Sequence, residues 1–140
     1  MFVLDTNVLS AVMGSRPVPE VAAWMSAQPE EQLFTTSVCK AEILAGVAIM
    51  PEGRRRSRFA VAATAIFDSA FARRVLPFDD EAAAFYAEIF AARKLTGRPS
   101  GTADLMIAAI ARVHGAAMVT RNTADLQYCG LSLIDPWGGS

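Results

Sequence analysis

The 140 residues predict an α/β fold in a single domain, residues 1–140, and three observations lead there. Short apolar runs alternate with longer runs in which apolar residues recur at helical spacing. Strands that alternate with helices need crossover connections, which give a parallel sheet covered on both faces. Apolar residues make up 53% of the chain, enough to fill such a core and too many for a disordered segment.

In chain order, Phe2-Val3-Leu4-Asp5 reads as a strand and Thr6 to Met13 as a short helix. Pro17 and Pro19 break the chain before a second helical run from Val21 to Ala27. Leu33-Phe34-Thr35-Thr36 is strand-like, and Ser37 is a suitable N-cap for the helix carrying Glu42, which ends at Pro51-Glu52-Gly53. The spacing of Phe59, Ala62, Ala63, Ile66, Phe67 and Ala70 predicts a helix from about Arg55 to Ala72. Val75-Leu76-Pro77-Phe78 is a third strand. Asp79, Asp80 and Glu81 then open a helix to Leu95, where their charge suits the positive end of the helix dipole better than it suits catalysis. Residues 96–101 are loop by composition. Thr102 caps the Asp104 helix, which runs to His114 and stops at Gly115. Ala117 to Thr120 is a fourth strand and Leu131 to Ile134 a weaker fifth.

Bulk properties narrow the functional classes. The net charge of −1 carries no global sign of a nucleic-acid binder, although 11 of the 13 basic residues are arginine, the better phosphate ligand. Cys39 and Cys129 lack metal or redox spacing and read as reduced thiols of a cytosolic protein. There is no basic n-region, Asp5 interrupts any apolar leader, and no apolar run reaches the roughly 20 residues that span a bilayer. The expectation is a cytoplasmic protein with no membrane association. Walker, dinucleotide-binding and serine-hydrolase motifs are absent.

Three lone acids carry the chemistry. Asp5 ends the first strand, Glu42 is the only acid between Val38 and Ile49, and Asp104 is the only acid between Thr102 and Ala111. An ionised carboxylate in an apolar setting costs several kcal/mol unless something compensates it. Singly, each could be a helix cap or an ion-pair partner; three together suggest one shared divalent cation. Ligands of open parallel sheets bind beyond the carboxyl ends of the strands, where Asp5 sits. Glu42 follows the second strand by about one and a half helical turns and shares a face with Val38, Ala45 and Ile49, which would point it inward. Asp104 falls in the first turn of its helix, where the dipole favours the anion. Hard oxygen donors suit Mg²⁺, with Mn²⁺ as the alternative, and phosphodiester hydrolysis is the natural chemistry.

At this point the sequence resembles the PIN-domain ribonucleases, most closely toxins of the VapC and FitB type. The resemblance spans nearly the whole chain. It rests on Val3-Leu4-Asp5-Thr6-Asn7, on Ser37-Val38 leading to Glu42-Ile43-Leu44-Ala45-Gly46, on Asp104-Leu105-Met106-Ile107-Ala108-Ala109, and on Val119-Thr120-Arg121-Asn122 followed by Asp125. It implies a parallel five-stranded sheet, a Mg²⁺-dependent endoribonuclease, a dimer, and a VapB-like antitoxin that occludes the site and binds operator DNA. By position, Asp5, Glu42 and Asp104 would be catalytic metal ligands, with Asn7 and Thr120 supporting them. Asn122 stands where relatives often carry a fourth acid. Either its amide oxygen or Asp125 would complete the metal set. Arg98 and Arg121 are the candidates for substrate phosphate.

Other readings compete. A phosphatase using Asp5 as nucleophile would need an acid where Asn7 stands and a lysine near the later strands, and the only lysines are Lys40 and Lys94. A catalytically weak PIN-like module binding RNA or protein is kept open by Asn122. Arg54, Arg55, Arg56 and Arg58 are either a solvated helix face or a contact for RNA or an acidic partner. The Glu42 helix is apolar on nearly every side, so a homodimer through residues 37–50 and 55–72 is expected to cover it.

Overall fold

The computed structural model describes residues 1–95, 97 and 101–138. Its five short strands are β1 (Phe2–Leu4), β2 (Leu33–Thr36), β3 (Val75–Leu76), β4 (Ala117–Val119) and β5 (Leu133–Ile134). All pair in parallel in the order β3-β2-β1-β4-β5. The chain builds outward from β1 through β2 to β3, then returns to lay β4 on the other side of β1. That reversal makes the carboxyl ends of β1 and β4 the switch point, where an open parallel sheet leaves a crevice. Val3, Leu4, Met118 and Val119 on these two strands have no exposed surface, as expected of strands covered on both faces.

Among the described residues six α-helices accompany the sheet: α1 (Thr6–Met13), α2 (Pro19–Ser26), α3 (Ser37–Ala48), α4 (Arg54–Ala65), α5 (Asp80–Leu95) and α6 (Thr102–Val113). The α6 run from Ile107 to Ala111 is buried without interruption, so this helix is covered on all sides. Burying a side chain such as Ile107 contributes roughly 2 kcal/mol.

Several boundaries depart from the sequence expectation, each for a local reason. Pro19 opens α2 rather than breaking the chain before it, since the first helical position needs no N–H donor. Thr36, not Ser37, caps α3 by accepting a bond from the Cys39 amide. The Ser37 hydroxyl turns away and accepts from the Phe78 amide. Gly101, not Thr102, occupies the N-cap of α6. The helix expected from Arg55 to Ala72 gives way after Ala65 to a π turn, Ile66–Ala70, closed by Phe71 N–H to the Ile66 carbonyl at 2.8 Å. Phe67 and Phe71 are both buried by it. Arg74 ties the turn to the sheet, donating to the carbonyls of Ala70 and Leu33. The expected role of Asp79 holds: its carboxylate accepts from the Ala82 amide at the start of α5. The loop expected at residues 96–101 falls mostly outside the described residues.

Candidate active site

Asp5 is placed by the strand that precedes it. Its own N–H joins β1 to the Val119 carbonyl of β4 at 2.9 Å, and its side chain caps α1. One carboxylate oxygen accepts from the Thr6 amide at 2.6 Å and the other from the Thr120 hydroxyl at 2.7 Å. The Thr120 hydroxyl in turn accepts from the Asn122 amide at 3.0 Å, which fixes the direction of its proton toward Asp5. Burial raises the pKa of Asp5, the two hydrogen bonds lower it, and nearby Glu42 raises it.

Glu42 reaches the same edge from α3. Its carboxylate accepts from the Thr6 hydroxyl at 2.6 Å, so the amide and hydroxyl of Thr6 serve two acids. The buried face of α3 carries Cys39 and Ile43. Glu42, Ala45 and Ile49 lie on the exposed side, which corrects the expectation that Glu42 points inward. An all-round apolar helix has no periodic signal to say which side faces the core. Behind Asp5, the Cys39 thiol donates to the Leu4 carbonyl, and burial pushes its pKa up, so it stays neutral. Both cysteines are free thiols, as expected.

Asp104 is half-buried in the first turn of α6. Its pKa is raised to about 6 by burial first and then by the charges of Asp5, Glu42 and Asp125, with a hydrogen bond from the Asn122 side chain acting the other way. The dipole effect expected to hold it well ionised is therefore outweighed. Asp104 thus lies within electrostatic reach of the other three acids, although Asp5 and Asp125 lie at opposite ends of the chain. The ion pairs Arg74 with Glu30 and Arg112 with Glu88 do not involve Asp5, Glu42 or Asp104.

As they stand, no three acids among the described residues form a ready-made metal cage. The chemistry of the donor set nevertheless fits a hard divalent cation: carboxylate oxygens of Asp5, Glu42 and Asp104 gathered at one edge of the sheet.

The remaining expected residues divide. Thr120 is central to the site. Asn7 is exposed on α1, and the bonds that knit the acids run through Thr6 and Thr120 instead. Asn122 touches Asp104 through its side chain and Thr120 through its amide. Arg121 is exposed beside the site, its guanidinium 5.0 Å from the centre of the Trp137 ring. Arg98 lies outside the described residues. Thr6 is the functional residue that sequence reasoning misses; a hydroxyl directly after the strand-end acid, at the first helical position, is the available signal.

Comparisons with known proteins identify the family. Residues 2–128 match the model of the PIN domain family. The chain is 42% identical over 137 residues to a VapC ribonuclease of Sinorhizobium fredii, Y4jK, covering 98% of each. It is 32% identical to toxin FitB of Neisseria gonorrhoeae, covering 98% of this chain and 99% of that one. The crystal structure of FitAcB from the same organism superposes with a TM-score of 0.86 at 32% identity, over 99% of this chain and 100% of the other. The PIN-domain family, in its VapC and FitB toxin branch, is the one to which this chain belongs.

Proposed function

We propose that the protein is a Mg²⁺-dependent endoribonuclease and the toxin of a type II toxin–antitoxin module. The observation that supports this reading is the convergence of Asp5, Glu42 and Asp104 at the sheet's switch point, with Asp125 within electrostatic reach of Asp104. A bound divalent cation would supply Lewis-acid stabilisation of the charge that develops on a scissile phosphate. Asp5, Glu42 and Asp104 would hold it. Asp5 is orientated for that by Thr6 and Thr120, each of which uses one lone-pair direction and leaves another on the same oxygen. Asp125 supplies the fourth charge, and Asn122 orders Asp104. Arg121, with its guanidinium laid on Trp137, stands by for a substrate phosphate.

Partners follow from the relatives. FitAB has been solved bound to a DNA fragment and VapBC from Salmonella typhimurium likewise bound to DNA. For this chain the corresponding partner is a VapB-like antitoxin that contacts operator DNA, with RNA as substrate in the cytoplasm. No helix among the described residues is long and apolar enough to cross a membrane. A homodimer would cover Leu44, Ile49 and Val61 of α3, its C-cap and α4, which are 45%, 86% and 70% exposed.

A second reading, a PIN module with weak or no cleavage, is favoured by one observation: Asn122 contributes an amide where a charge would strengthen metal binding. Incubating the protein with a mixed RNA pool in Mg²⁺, and in parallel with chelator, decides between them. Fragments that appear only with the metal establish the nuclease. RNA left intact in both arms establishes the second reading.

A further inference from the structure

We propose that the cleft between α1 and α4 binds the sugar–phosphate backbone and an unstacked base of single-stranded RNA, feeding the strand to the acids. This extends the ribonuclease reading above and rests on it for the identity of the strand. A cleft of about 480 Å³ is lined by Met13, Gly14, Arg16, Arg55, Arg58 and Phe59. A second, of about 220 Å³, shares Met13 and Phe59 with it and ends at Thr6 and Glu42. Their shared lining residues set the arginines, an apolar wall and the carboxylate edge next to one another.

The arginines are badly placed for the helix that carries them. Arg54, Arg55, Arg56 and Arg58 crowd the first turn and a half of α4, which has no acid in its first turn and no side-chain cap. Cations at the positive end of a helix dipole are unfavourable, and an anion there relieves both the dipole and the charge crowding. Neither ion pair among the described residues involves Arg16, Arg55 or Arg58. The Arg55 guanidinium lies 5.6 Å from the Phe59 ring centre, within cation–π range, so charge and aromatic surface stand side by side in the cleft. Alternation of guanidinium groups with an aromatic face is the pattern that suits a nucleotide strand, whose phosphates meet the charge and whose bases meet the ring. An acidic polypeptide would use the charge and leave Phe59 without a role.

The test is binding of a short labelled single-stranded oligoribonucleotide, followed by anisotropy in chelator across a salt series, so that no cleavage is needed. The combined variant Arg16→Gln, Arg55→Gln, Arg58→Gln is expected to bind roughly tenfold more weakly at low salt. Its log–log salt slope should become shallower by about 0.7 for each phosphate that the arginines no longer neutralise. The matching lysine variants should keep the slope, and an unchanged thermal midpoint confirms folding. Phe59→Leu should weaken binding about fivefold with the slope unchanged. A wild-type slope in the triple glutamine variant overturns the proposal. So does loss of antitoxin binding with RNA binding intact, which would make the cleft a protein groove. If the wild type fails to cleave RNA with Mg²⁺ while the slopes change as expected, the nuclease reading falls and the RNA cleft stands.

Discussion

Asp5 and Asp104 stand at the same sheet edge under different restraints. Asp5 is buried, ends the central strand, and receives one bond from a backbone amide and one from a hydroxyl that is itself oriented. Asp104 is half-buried, belongs to a helix start without a side-chain cap, and receives a side-chain amide while facing three other acids. Burial is the largest influence raising both pKa values, yet only Asp5 has two hydrogen bonds opposing it. The difference separates two tasks within one site. Asp5 is a fixed reference point, and Asp104 is an acid under the electrostatic load of its neighbours, which a cation would relieve.

Removing the fixed point should have the largest effect. Asp5→Asn keeps the shape and the cap but removes the charge, and cleavage is expected to fall by about 10³-fold or more, the several kcal/mol a metal supplies in phosphoryl chemistry. Near-normal Mg²⁺-dependent cleavage by this variant would take Asp5 out of the site. Thr120→Val should come next. It strips a buried carboxylate oxygen and the Asn122 amide of their shared hydroxyl, at a cost of about 1–3 kcal/mol in urea unfolding. A loss below measurement error would mean that Asp5 is held by its backbone alone.

Asn122→Asp sharpens the other side of the comparison. It replaces a donor to Asp104 by a fifth charge, so Mg²⁺ affinity should rise by about 1–2 kcal/mol after desolvation losses while the metal-free protein loses stability. Titration of Mg²⁺ against the variant, with Asp125→Asn and the double mutant alongside, shows which of the two positions reaches the ion. An unchanged midpoint in all three would leave Asp5, Glu42 and Asp104 as the whole protein contribution.

The smallest expected effect concerns pH. Asp104 binds its proton more readily in the folded state, at about 6, than in the unfolded chain near 3.8. The favourable contribution is therefore complete below about 4 and is lost as pH rises through about 6. In the metal-free protein, Asp104→Asn should be more stable than wild type by ~1–2 kcal/mol above pH 7 once solvent screening is allowed for, and the gap should close toward pH 4. Unfolding curves at both pH values measure it. A gap independent of pH would show that crowding is not what burdens Asp104.

The sheet and the acids are legible in the sequence because each rests on a local contrast. Phe2 to Leu4 is apolar on both faces, and a lone carboxylate in such surroundings demands an account. Other features are not legible, for one physical reason: they depend on where the backbone goes rather than on composition. Thr36 and Ser37 are both good caps, and Gly101 and Thr102 both acceptable ones; only the turn of the chain selects between neighbours. Glu42 belongs to a helix with no single apolar side, where contacts with the rest of the domain decide the orientation. The π turn after Ala65 depends on Arg74, whose other anchor, Leu33, lies far away in the chain.

The bond between Thr120 and Asp5 joins residues 115 positions apart. A polypeptide still emerging from the ribosome thus carries Asp5 and Glu42 long before it carries Asp104, the second neighbour of β1, strand β4, or the hydroxyl that orders the first acid. Chains cut short by premature termination before β4 are in the same condition. By this arrangement of its strands, the candidate site stays incomplete until synthesis of the chain is nearly finished.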